Sequence, residues 1–275
     1  MTPAPTLPLL NGVQMPQLGL GTWPMNDAEA STAVRQALLL GYRLIDTAEN
    51  YGNEAGVGEG FRQSGIPRQE IFLTTKFNRQ WHSETGPRHA AEASLKRLQM
   101  EYIDLLLIHW PNPDQDRYVD AFAAMVKLLK AGLVRAIGVS NFKPAHLDKL
   151  FAAGLVPHVN QIQLSPYLRR DGVVAVHRAK GIVTESWSPL GRGGDILLDP
   201  IIQNIAVAHG KKPSQIILRW HVQSGYVPTP KSANPDLQKE NLDVFGFSLT
   251  ADEIQALNGL NKPDMTMRDS DVFGH

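Results

Sequence analysis

Apolar and polar positions along the chain alternate between two rhythms. Short runs rich in Val, Ile and Leu recur, each followed by a stretch with apolar residues three or four positions apart. The runs predict strands and the stretches amphipathic helices. Ahead of the first repeat, residues 7–10 and 13–17 flank Asn11-Gly12, two residues that tolerate positive φ, which predicts a β-hairpin. Strands are then predicted over 19–22, 44–46, 71–76, 103–108, 134–139, 159–164, 182–187 and 226–229. Helices are predicted over 28–40 (capped by Asp27), from about Asn53, and over 86–98, 118–130, 143–153, 172–180 and 213–223. Two short helices, 236–244 and 251–260, precede a polar tail.

The strand runs lack the wet-face alternation of an antiparallel sheet and read as buried on both faces, which fits parallel strands covered by helices. Eight strands alternating with helices in 275 residues match a closed α/β barrel, the (β/α)8 or TIM barrel of about 250 residues. Residues 1–275 are read as one such domain, with the N-terminal hairpin closing its bottom. The rival is a doubly wound open sheet, which would place a Gly-x-Gly-x-x-Gly turn after its first strand. The nearest candidate, Gly56-Val57-Gly58-Glu59-Gly60-Phe61, ends in Phe61 and starts inside a helical stretch. Its glycines read as turn and packing residues, and the barrel is preferred.

Composition narrows the chemistry. Apolar residues make up 43% and charged residues 20%, as in an ordinary globular protein. Lys plus Arg equal Asp plus Glu at 27 each, so no basic excess points to nucleic acid. The absence of cysteine removes disulfides, thiol nucleophiles and thiolate metal sites, and the nine histidines show no metal-ligand spacing. The first basic residue is Arg35, so a signal peptide or transit peptide is not expected. No window approaches about 18 uninterrupted apolar residues, so no membrane span is expected and a cytoplasmic protein is the default.

In a barrel, functional side chains come from the C-terminal ends of the strands. Those ends carry Asp46, with Tyr51 just beyond, then Lys76, His109, Ser140-Asn141, Gln161, Trp187 and Lys231. Taken singly, Asp46 reads equally as a turn residue, Tyr51 as a rim residue and His109 as a core histidine. Lys76 at the end of a buried strand needs a partner to offset desolvation. Together they answer one another's needs. A phenol ionises only at about pH 10. A neighbouring ammonium lowers that value, a carboxylate holds the ammonium, and a neutral imidazole orients a carbonyl oxygen. Asp46, Tyr51, Lys76 and His109 thus form an acid–base set suited to carbonyl chemistry, with no metal.

The motifs that carry these residues are GLGTW at 19–23, GYRLIDTAENYGNE at 41–54, TTK ending at Lys76, DLLLIHWP at 104–111, IGVSNF at 137–142, NQIQLSPY at 160–167 and PKS at 230–232. Over nearly its whole length the chain resembles the aldo-keto reductases, in the bacterial subgroup related to 2,5-diketo-D-gluconate reductase. The resemblance implies an oxidoreductase that reduces aldehydes or ketones with NADPH, NADH being possible, and a monomer. It implies that Tyr51 protonates the carbonyl oxygen, that Lys76, held by Asp46, lowers the Tyr51 pKa, and that His109 orients the substrate. Trp187 would stack on nicotinamide, with Ser140, Asn141 and Gln161 on its carboxamide and Thr22 and Trp23 at the mouth. Ser188, Leu190, Gly191 and Gly193 would fold over the pyrophosphate, and Lys231, Ser232, Glu240 and Asn241 would hold the adenosine end. One departure stands out. Where the family pattern has an arginine for the 2′-phosphate of NADP, this chain has Leu237, which predicts a weakened preference for NADPH.

An apolar substrate pocket is expected from Trp23, Trp81, His109 and Trp110 beside Tyr51. The tail beyond Lys262 is a candidate cap for this pocket, though its shortness, 263–275, suggests an open and permissive one. Substrate candidates are 2-oxoaldehydes such as methylglyoxal, aromatic aldehydes and diketo sugars. Two rival readings remain: a Schiff-base aldolase on Lys76, and a non-catalytic nicotinamide-binding barrel. Short-chain dehydrogenase chemistry would need a Tyr-x-x-x-Lys pair, which is absent.

Overall fold

The computed structural model describes residues 4–262, 264–265 and 267–275. Its main sheet has eight parallel strands, in the order in which they occur along the chain. They are β3 (Gly19–Gly21), β4 (Leu44–Asp46), β5 (Phe72–Phe77), β6 (Ile103–Ile108), β7 (Val134–Ser140), β8 (Val159–Gln163), β9 (Val183–Trp187) and β10 (Val227–Pro228). Side chains of β4, β5 and β6 are buried along their whole length, as strands sandwiched between a barrel interior and a helical layer must be. The sheet closes into a barrel where Gly21 N–H donates to Pro230 O at 3.1 Å and Gly21 bridges to Lys231. A side chain at position 21 would meet Thr229 O at 2.9 Å, so the closure requires glycine.

Helices cover the outside: α1 (Asp27–Leu40), α2 (Glu54–Ser64), α3 (Gly86–Leu98), α4 (Tyr118–Lys130), α5 (Pro144–Ala152), α6 (Asp171–Lys180), α7 (Pro200–His209), α8 (Pro213–Gln223), α9 (Pro235–Leu242) and α10 (Ala251–Asn258). The cap of α1 is Asn26 rather than Asp27. Asn26 and Glu29 form a reciprocal capping box, whereas the Asp27 carboxylate accepts from the backbone of Gly56 on α2. Gly56 and Gly58 are indeed packing residues: a Cβ on either would lie 2.1 Å from a carbonyl oxygen, of Asp27 on α1 or Leu98 on α3. Helix α7 has no counterpart in the predicted elements. Asp199 caps it and Pro200 starts it, a local signal outweighed by the glycine-rich run before it.

The predicted hairpin forms, as β1 (Thr6–Pro8) paired antiparallel with β2 (Gln14–Pro16). Its Leu9 and Met15 pack with Leu44, Phe72, Leu105, Ala136, Val159 and Val227, which belong to the lower parts of the strands. The hairpin therefore plugs the bottom of the barrel. Among the described residues no helix is long and apolar enough to cross a membrane.

Candidate active site

The opposite end of the barrel opens into a cleft of about 750 Å³. Register explains its composition. Asp46, Lys76 and Trp187 each fall at or next to the last residue of a strand, and Gln161 two residues before the end of β8, so their side chains meet at one rim.

Lys76 has no exposed surface, and its ammonium makes three contacts: Asp46 Oδ2 at 2.7 Å, Thr47 O at 2.9 Å and Tyr51 Oη at 3.4 Å. Burial works against that charge, but Asp46 and Tyr51 outweigh it and hold the Lys76 pKa above the ordinary lysine value. Gln161 Nε2 donates to the other Asp46 oxygen at 2.7 Å, and Thr22 Oγ1 donates to Asp46 O at 3.0 Å. Lys76 and Gln161 thus fix the two carboxylate oxygens, and Thr22 the backbone carbonyl of the same residue. Tyr51 differs from the sequence expectation in one respect. Lys76 does pull its phenol down, yet burial is the larger effect and the net direction is upward. Tyr51 is accordingly a neutral phenol, loaded with its proton, across the neutral range.

The His109 ring sits 5.9 Å from that of Tyr51, centroid to centroid, at 73°. Burial, with smaller effects from Lys76 and His275, holds it far below the usual histidine pKa, so it is a neutral imidazole. Next to it the polar residues of β7–β9 form a chain. Trp187 Nε1 donates to Asn141 Oδ1 at 2.9 Å, Asn141 Nδ2 donates to His109 O at 3.1 Å and Ser140 Oγ donates to Gln161 O at 2.9 Å. Asn141 adopts positive φ, which suits asparagine better than most residues. The indole of Trp187 is thus held edge-on to the protein with a face toward the cleft.

The cleft brings together Thr22, Trp23, Asp46, Tyr51, His109, Trp110, Ser140, Asn141, Gln161, Trp187, Ser188, Leu190, Gly193, Lys231, Ser232 and Asn241. Lys76 lies behind Tyr51, out of the lining. Gly191, Glu240 and Trp81 are not in the lining either, and the Trp81 indole instead donates to Glu49 at 3.0 Å. Three charged or aromatic lining residues have no individual role in the sequence reading, which reaches only the loop and the tail that carry them. Arg192 places its guanidinium 5.3 Å from the Trp23 ring and 6.0 Å from the Trp187 ring, across the mouth. Arg268 and His275 line the cleft from the tail. The tail is therefore not an open edge. Phe273 packs edge-on against Trp110 at 4.7 Å, and His275 lies 5.5 Å from His109. Arg79 N–H donates to His275 O at 2.6 Å, while Asp269 and Asp271 pair with Lys143 and Asp271 with His146. Asp269 and Asp271, followed by the rings of Phe273 and His275, carry no local pattern that names these distant partners.

A barrel whose strand ends join a buried lysine, a carboxylate, a phenol and a neutral imidazole beside a long aromatic cleft defines an oxidoreductase of the carbonyl-reducing class. Residues 15–262 match the Aldo/keto reductase family. The chain is 44% identical to 2,5-diketo-D-gluconic acid reductase B of Corynebacterium sp., over 98% of this chain and 97% of that one. It is also 44% identical to methylglyoxal reductase DkgA of Yersinia pestis, over 100% and 99%. The NADPH complex of a Gox0644 mutant superposes with a TM-score of 0.93 at 42% identity, covering 98% of both chains. The protein belongs to the aldo/keto reductase family, and is an NAD(P)H-dependent oxidoreductase.

Proposed function

We propose that the protein reduces small aldehydes and ketones, 2-oxoaldehydes among them, to alcohols with NADPH, Tyr51 being the general acid. The observation that carries this reading is the buried contact chain Asp46–Lys76–Tyr51, which opens on the cleft at a neutral phenol. The residues present fit the cofactor. The fixed Trp187 indole offers a flat face to nicotinamide, and the amides of Asn141 and Gln161 lie beside it. Ser188, Leu190 and Gly193, with Gly191 shaping the loop, suit the pyrophosphate, and Arg192 adds a positive charge there. Lys231, Ser232 and Asn241 suit the adenosine end, with Glu240 on the same helix. Bound in that cleft, NADPH supplies the hydride.

The chain's own residues do the rest. Thr22 and Trp23 shape the mouth. His109, neutral, donates a hydrogen bond to the carbonyl oxygen and sets it against Tyr51. The Tyr51 hydroxyl gives its proton to that oxygen, and the Lys76 ammonium stabilises the phenolate left behind. Asp46 keeps Lys76 charged and in place. Trp110 and Trp23 wall an apolar pocket that suits compact carbonyl compounds, while Trp81 supports the site from outside the cleft.

The test is NADPH oxidation with methylglyoxal, aromatic aldehydes and a diketo sugar, each repeated with NADH. Oxidation of NADPH by at least one of these is expected. Trapping of a Lys76 adduct by borohydride without NADPH oxidation would indicate the aldolase reading. NADPH binding without turnover of any carbonyl would indicate a binding protein.

A further inference from the structure

A third carboxyl sits inside the barrel, in register with Gln161, the residue whose amide donates to Asp46. Glu185 lies on β9, opposite Gln161 on β8 and Val227 on β10, and has no exposed surface. The charges that bear on it come from across the barrel: Asp46 on β4 and Lys76 on β5. Tyr51, in the turn after β4, feels Glu185 in return. On its own side, β8 contributes the Gln161 amide and β10 an apolar residue. On the outer face of β9, His177 of α6 is taken up by Asn160 and Thr184.

The Lys76 donors near Glu185 are taken up by other groups, and the nearest amide, that of Gln161, is shared with Asp46. An ammonium has three N–H groups, and those of Lys76 reach Asp46, Thr47 and Tyr51. Gln161 gives one of its two amide N–H groups to Asp46, which leaves the other as the single donor near Glu185. Neither Glu185 oxygen receives a hydrogen bond from the described residues. A carboxylate without donors in a dry interior is costly, and such a group keeps its proton instead. Burial, reinforced by Asp46 and opposed by Lys76 and Gln161, pushes the Glu185 carboxyl up to about 8.

We propose that Glu185 is a positioning residue for proton transfer: its neutral carboxyl leaves the Lys76 ammonium to Asp46 and Tyr51, and its deprotonation draws that ammonium away and stops proton donation. The inference rests on the reading of Tyr51 as the acid. The step is an ionisation alone. The Glu185 O–H bond breaks, the proton passes to solvent, and the new carboxylate competes for a Lys76 N–H.

The test compares kcat against pH at saturating NADPH and methylglyoxal for the wild type and Glu185→Gln, with Tyr51→Phe alongside. Glutamine keeps the size and cannot ionise. Once Glu185 ionises, wild-type kcat should fall about tenfold per pH unit, while Glu185→Gln should hold its neutral rate within about threefold over the next unit. A wild-type profile retained in Glu185→Gln overturns the proposal and leaves the role of Tyr51 intact. Full activity in Tyr51→Phe overturns that role instead. Infrared difference spectra of the wild type need neither turnover nor a folded variant. Between about pH 6 and pH 10 a buried protonated-carboxyl band should disappear, and if no such band exists Glu185 is already ionised and the proposal fails.

Discussion

At the scale of single residues, Lys76 is where sequence and structure agree most closely on a physical reason. A lysine ending a buried strand demanded a partner, and Asp46 supplies one at 2.7 Å. Asp46, Tyr51 and His109 were legible for the same reason, since each is a polar side chain that packing alone does not require. Glu185 was not legible. A glutamate within a strand reads as surface until the register shows that it faces the barrel interior. The sign of the Tyr51 shift was equally hidden, because it depends on how far burial outweighs one ammonium. Leu237 lines the cleft and is 48% exposed, with no charge to offer a phosphate. Leu237→Arg should therefore raise the ratio of kcat/KM with NADPH to that with NADH. A charge-assisted hydrogen bond contributes about 1.5–3 kcal/mol, so the ratio should grow roughly tenfold or more. An unchanged ratio would place the 2′-phosphate elsewhere.

At the scale of elements, the eight strands and most helices followed from hydrophobic rhythm, because each strand is buried on both faces and each helix on one. What rhythm could not show was how elements meet. The glycines of α2 are explained only by the carbonyls of Asp27 and Leu98 against them, and α7 depends on a two-residue cap signal. The tail is the largest difference. Its shortness suggested an open pocket, yet Asp269 and Asp271 pair with Lys143, and Asp271 with His146, and this brings Phe273 and His275 onto Trp110 and His109. These partners are far away in sequence, so no local pattern reports them. Deleting residues 267–275 should raise KM for small aldehydes by roughly tenfold, a loss of about 1.4 kcal/mol, with a smaller change in kcat. Steady-state kinetics with methylglyoxal decide this, and an unchanged KM would show that the tail does not bear on the substrate.

At the scale of the whole molecule, a hairpin plugs one end of the barrel and the chemistry is confined to the other. Closure through Gly21 and Pro230 brings the cleft residues of β3 beside Lys231, so the first and last strands meet at the proposed cofactor site. A chain with no net charge can still gather Lys231, Arg192 and Arg268 on one cleft, which overall composition could not reveal. The proposed function requires this arrangement to deliver one proton from Tyr51 to a carbonyl oxygen. Single-turnover oxidation of bound NADPH by methylglyoxal in Tyr51→Phe tests it most directly. The rate should fall by about 10²–10⁴, with NADPH quenching of Trp187 fluorescence close to the wild type. A rate near that of the wild type would contradict it.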